Sequence, residues 1–484
     1  MERNEKGHFL KQHSGIRSKR GTTYLKLYHT LEKMKKPDDG KLLSMIPELA
    51  HAQLSNQKAY LYDQILLSLE RYHSESSDAK LRRLLSDIRI LHTKGLLIQC
   101  ENLIKKAEKL SIKTERYLHL SEIQAWKYSL LVGGKDTDKV RKDLLPVLSV
   151  SRSALHEYLL LLDYRQAQSE TLVESWSDRS VRGTAGKQKL AEIEKKIQSL
   201  PMPASISAKL FRSNALTVLA DLRGETKEAI RERRECVHLL ESRPDLIRDE
   251  PPRYLVSVYN LATYLYNSKY YKEAETELIK LIGIAKKQIK QYVPRRYYLI
   301  GVMMRLITEI KLRGIKTSMS SITEAEYVIE KFGKDFTGHD RLLVYYHLSW
   351  SYFNLEQFDR SLPWINKVIN EQGAEKTNPA IYLLARLTTV LIHFELKNTE
   401  YMEYLIRSLY RFLKTRKRLY RFEELLMEFI RIKLPKVNSP KELLLALTDL
   451  RKQVKVLQND PFESSVFENF DFPGWLDGKL KLRD

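Results

Sequence analysis

From residue 79 onward, apolar positions recur three and four apart, and no segment shows the strict alternation of a half-buried strand. The stretch 260–287 carries the pattern in full. Leu261, Ala262 and Leu265 share one helical face, and Asn267, Ser268 and Lys269 interrupt it. Tyr271, Ala274, Leu278 and Leu281 then form the apolar face of a second helix. Two amphipathic helices joined by a short polar break predict a helical hairpin. The small residues Ala262 and Ala274 fall where paired helices must approach closely.

The pattern recurs. At 348–369, Leu348, Ser349 and Tyr352 precede the break, and Phe358, Ser361, Ile365 and Val368 follow it. At 216–240, Leu216 and Ala220 lead to Gly224, then to Ala229 and Cys236. At 95–112, Cys100, Ile104 and Ala107 mark the inner stripe of a second helix. The small anchors Cys100, Ala229, Ala274 and Ser361 are separated by 129, 45 and 87 residues. These are three, one and two periods of about 43. The expectation is an all-α chain, an α-solenoid of stacked helical hairpins, with Ala107, Ala229, Ala262, Ala274 and Ser361 as repeat-packing residues. The segment around 137–199 fits the repeat poorly.

The hairpins at 258–285 and 345–370 resemble tetratricopeptide repeats. The whole chain is similar to bacterial proteins of about this length that carry degenerate repeats of this type. The segments LSNQKAYLYDQILLSLERYH and FENFDFPGWLDGKL also look like features of that group. The resemblance implies a superhelix with a concave binding groove. It implies no reaction and names no ligand.

The repeats are expected to span 79–460, and the flanks differ from them. Residues 1–20 read as a basic, flexible arm. Residues 21–78 read as a helical capping bundle with helices near 22–36, 39–47 and 55–74, the last capped at Ser55-Asn56. Three short helices also fit a DNA-binding helix-turn-helix, but a solenoid needs a cap over its open apolar end. Residues 461–484 place Phe462, Phe467, Phe470, Phe472 and Trp475 among acids. Clustered aromatics of this kind suit a cap on the last repeat, or a docking peptide.

Composition supports the helical reading. Gly and Pro together number only 33 of 484 residues, and 30% of residues are charged. Cys100 and Cys236 lack metal-ligand spacing, no leader-like apolar run opens the chain, and no run is long enough to span a bilayer. These features point to a reduced, cytoplasmic protein without a membrane partner or a bound metal.

Charge changes the picture more. The net charge is +22, and the acid-free windows 6–31, 278–308 and 404–422 hold twenty of the excess cations. Two of them place cations near a turn between helices: Lys286, Lys287, Lys290, Arg295 and Arg296 beside Tyr292, and Arg407, Arg411, Lys414, Arg416, Lys417, Arg418 and Arg421. In the second window, Arg407, Arg411, Lys414 and Arg418 form one helical stripe beside Leu405, Leu409 and Phe412. Tyr292, Tyr297, Tyr298, Tyr410 and Tyr420 are placed to stack on a base or sugar. Two readings stay open. One is a ridge for an anionic partner. The other is a solvated edge where cations sit at helix C-termini.

No reaction chemistry stands out. VGGKDTDK at 132–139 lacks the upstream glycine and the Ser or Thr of a phosphate loop, and His156-Glu157 stands alone. No catalytic residue, cofactor site or metal site is assigned. The leading expectation is a non-catalytic scaffold holding a protein or peptide in its concave groove. The alternatives are an RNA- or DNA-associated repeat protein using the basic ridges, and a sensor whose C-terminal tail occupies the groove.

Overall fold

The computed structural model describes all residues except 2, 14–18, 35–37, 135, 177–183, 415–420, 434–436, 438, 460–470 and 482–484. Every regular element among the described residues is helical. The chain forms two compact units. One comprises Met1–Tyr264 and Lys290–Pro294, the other Leu265–Ile289 and Arg295–Asp484.

One backbone device recurs at six turns. Gly95, Glu115, Gly224, Lys269, Glu356 and Lys397 adopt left-handed conformations with φ between 56° and 76°. The next residue then donates its N–H five residues back: Leu96 to Leu91, Arg116 to Ser111, Glu225 to Ala220, Tyr270 to Leu265, Gln357 to Tyr352 and Asn398 to His393. These bonds measure 2.8–3.0 Å and are the outer bond of a Schellman motif. The same residue's carbonyl accepts the first bond of the following helix, from Cys100, Leu120, Ala229, Ala274, Ser361 or Met402. A single residue thus closes one helix and opens the next. All six of these donor residues are buried, and the four small ones are the anchors seen in the sequence. Close approach at this point favours Cys, Ala or Ser. Leu120 and Met402 occupy it at the other two turns.

In the first unit, helices Arg3–His13, Lys19–Lys33, Asp39–Met45 and His51–Tyr72 surround a core of Phe9, Tyr24, Leu27, Leu42, Ile46 and Leu54. Over Arg3–His13 the expected flexible arm is therefore corrected. Phe9 is wholly buried against the ring of His13 at 4.5 Å, because residues four apart share a helical face. The expected cap at Ser55-Asn56 is corrected too, since the helix begins at His51. Helices Ser77–Thr93, Leu97–Lys113 and Tyr117–Gly133 follow, packed in chain order around Leu81, Ile88, Cys100, Ile104, Ala107 and Ile123. The poor fit at 137–199 has a cause. A single 40-residue helix, Thr137–Trp176, packs on both Tyr117–Gly133 and Ile206–Arg223 where a hairpin was expected.

In the second unit, Gly338–Asn354 pairs with Phe358–Asn370, and Pro379–Glu395 with Thr399–Lys414. The Ser361 hydroxyl lies 2.9 Å from that of Ser349, so two small polar side chains satisfy each other where the helices touch. A Cβ on Gly301 would lie 3.1 Å from Leu281, which explains glycine inside helix Tyr292–Arg313. Helix Phe472–Lys481 packs on Pro440–Gln458. Phe472 is wholly buried beside Phe422, Trp475 Nε1 donates to Glu395 at 2.8 Å, and Lys479 pairs with the same carboxylate. Phe462, Phe467 and Phe470 lie outside the described residues.

Candidate functional site

The first basic window departs in part from the exposed ridge expected of it. Lys286, Lys287 and Lys290 are exposed and Tyr292 is half-buried. Arg295 turns inward, with its side chain 13% exposed, 3.1 Å from Asp335 and over the ring of Phe332. Arg296 grips Asp340 through two bonds of 2.9 and 3.0 Å. Tyr298 is buried and donates to Glu324 at 2.6 Å, and Tyr297 is buried as well, so neither ring is open for stacking. Burial first, then Glu324, pushes the Tyr298 hydroxyl far above its ordinary value. The sequence window showed no acids because the partners lie 26 to 44 residues further on.

In the second window, Arg407, Arg411 and Tyr410 lie on the exposed face of Thr399–Lys414, with Leu409 and Leu413 buried behind them. Arg421 is exposed beside buried Phe422. Arg416, Lys417, Arg418 and Tyr420 lie outside the described residues, as does the side chain of Lys414.

The second unit carries a groove of about 590 Å³ that the sequence reading missed. Three helices meet there. The end of Met319–Phe332 and the turn after it contribute Ile329, Glu330, Gly333 and Lys334. The start of Gly338–Asn354 contributes Arg341 and Tyr345, and Phe358–Asn370 contributes Trp364 and Lys367. The volume lies in the range of ligand sites.

Arg341 fixes the geometry. Its guanidinium pairs with Glu371 and donates to the Phe336 carbonyl at 2.5 Å, tying the turn to two helices. Lys367 Nζ sits 3.6 Å from the centroid of the Trp364 ring and 5.6 Å from that of Tyr345. The Tyr345 and Trp364 rings are 5.9 Å apart. Burial and the Glu371 charge raise the Tyr345 hydroxyl, against Arg341, so it stays a neutral donor. Lys334, Lys367, the Tyr345 hydroxyl and the Trp364 indole N–H make no hydrogen bond or ion pair to any described residue. Four donors therefore line the groove, beside the exposed Glu330 carboxylate. Each candidate residue comes from a pair three or four apart on its helix or the turn after it, so no continuous sequence motif announced them.

A second cleft, of about 420 Å³ in the first unit, is already self-satisfied. The Glu115 carboxylate accepts from the Ile206 and Ser207 amides at 2.9 and 3.1 Å, capping helix Ile206–Arg223. Arg116 bonds Asp249 and Glu250, and Arg253 donates to Ser207 Oγ at 3.1 Å. Tyr117 is pushed up to about 12 by burial, then by Glu115 and Glu157. This network joins helices distant in sequence.

Both cysteines are buried free thiols, and burial pushes Cys236 up to about 12, which leaves it unreactive. Among the described residues no group of three or more His, Cys, Asp or Glu could hold a metal, and no helix is long and apolar enough to cross a membrane.

No family model matches the chain, and no curated protein matches it. Among solved structures, the apo form of RapI aligns over 83% of this chain and 95% of that one, at 9% identity and a TM-score of 0.48. That degree of likeness assigns no family or activity to this chain.

Proposed function

We propose that this chain is a non-catalytic helical-repeat scaffold that holds a protein or peptide partner in the groove of its second unit. The observation that carries the reading is the placement of the exposed cations Lys334 and Lys367 in one groove with Tyr345 and Trp364. Lys334 and Lys367 are exposed at the rim of the groove and Tyr345 and Trp364 line it, so the groove offers cations and donors to an acceptor from outside. The two shielded free thiols suit a reducing compartment, so the cytoplasm is the proposed location. Helix Phe472–Lys481 is proposed as a structural cap, because Phe472 is buried in the core of its own unit and Trp475 packs against it.

The nucleic-acid reading retains the exposed Lys286, Lys287, Arg407 and Arg411. It loses Arg295, Arg296, Tyr297 and Tyr298 to interior contacts. A native pulldown, split with and without nuclease, separates the readings. A protein partner recovered equally in both halves supports the scaffold. Recovery that vanishes after nuclease overturns it in favour of nucleic acid.

A further inference from the structure

Resting on the scaffold reading, we infer that the groove of the second unit recognises side-chain carboxylates of an acidic peptide segment. The chemistry of its lining selects the ligand. Two ammonium groups, one phenol and one indole are all donors, and an ionised carboxylate is an acceptor only. Charge-assisted bonds from Lys334 and Lys367 supply the attraction, and the neutral donors of Tyr345 and Trp364 supply direction. The half-buried Tyr345 ring offers apolar surface to the carbons beside the carboxylate.

A nucleic-acid strand fits less well, for two reasons. Lys367 already covers one face of Trp364, and that residue is only 6% exposed, so a base has no open ring to stack on. Glu330 also lines the groove. Its charge opposes phosphates and carboxylates alike, but a peptide spaces its carboxylates apart with neutral residues where a strand carries a charge at every nucleotide. Arg341 is held by Glu371, so it positions the turn that carries Lys334 and is not itself counted as a ligand donor.

The test uses the full chain carrying 5-fluorotryptophan, with the Trp364 fluorine signal assigned from Trp364→Phe. The probes are a labelled alternating Glu-Ala peptide of about ten residues, its Gln-Ala counterpart and a deoxythymidine oligomer of similar length. The Glu-Ala peptide is expected to shift the Trp364 signal and the Gln-Ala peptide to leave it unmoved. The double variant Lys334→Met, Lys367→Met is expected to weaken Glu-Ala binding by at least roughly tenfold, and Lys367→Arg to retain most of it. Equal binding to wild type and double variant, equal binding of the two peptides, or a signal moved by the oligomer alone overturns the inference. A protein partner from the pulldown that binds wild type and double variant alike overturns carboxylate recognition here and places the partner outside this groove, whereas a partner lost by the double variant with no peptide preference overturns carboxylate recognition alone.

Discussion

Arg296 holds Asp340 by two parallel bonds, and the carboxylate it holds is 2% exposed. Asp340 is the third residue of helix Gly338–Asn354, where it also accepts from the hydroxyl of the capping residue Thr337 at 2.8 Å. One acid thus joins the start of a helix to a cation 44 residues earlier.

Replacing Arg296 by Ala leaves that carboxylate buried without its charge partner. A loss of about 3 kcal/mol is expected, at the low end for such pairs because Arg296 is partly exposed. Urea unfolding of Arg296→Ala beside wild type measures it. A loss within experimental error would show that the pair is dispensable.

The same carboxylate makes stability depend on acid. Burial alone would raise Asp340, but the bonds from Arg296 and Thr337 outweigh it and hold it below the usual carboxylate range. Its contribution is present above the unfolded value of about 3.9 and is lost as pH falls through the lower folded value. Glu324 and Glu275 are depressed as well and act in the same direction. Unfolding midpoints should therefore be level near neutrality and drop steeply below about pH 4, and the drop should shrink in Asp340→Asn.

The left-handed turns give opposite outcomes from one type of substitution. Lys269 and Glu356 bear the steric cost of a side chain at positive φ, so Lys269→Gly and Glu356→Gly should each stabilise by about 0.5–1 kcal/mol after the entropy cost of glycine. Glu115 has the same backbone conformation, but its carboxylate caps the helix at Ile206 and Ser207. Glu115→Gly should therefore destabilise by about 1 kcal/mol. Thermal unfolding of the three variants checks the contrast.

The C-terminal helix should behave as part of the core. Trp475→Ala removes a ring packed on Phe394 and Phe472 and a bond to Glu395, and should cost about 3 kcal/mol. Denaturant unfolding gives the cost. Partner binding that rises in Trp475→Ala with stability unchanged would make the helix a detachable regulator instead of a cap.

Much of the fold was legible because it rests on local periodicity. Cys100, Ala229, Ala274 and Ser361 stand out among larger apolar residues, and each is the fourth residue of its helix. Leu120 and Met402 hold the same place but look like ordinary core residues, so those two turns went unread. The helix at Arg3–His13 was hidden by its charge, since only Phe9, Leu10 and His13 betray an inward face. The candidate site was not legible. Trp364 and Lys367 are three apart, Arg341 and Tyr345 four apart, and Glu330 and Lys334 four apart. Each pair reads as an ordinary helix surface, and only packing of three helices joins them. Arg295 and Arg296 were misread for the converse reason: a cation-rich window does not show which acids from elsewhere in the chain will meet it.

The most direct measurement is partner capture by the wild-type chain beside the double variant Lys334→Met, Lys367→Met, after nuclease treatment and with matched helical content. The expected result is a protein partner retained by the wild type and lost by the variant. Equal retention by both, or no protein retained by either, would contradict a binding role for this groove.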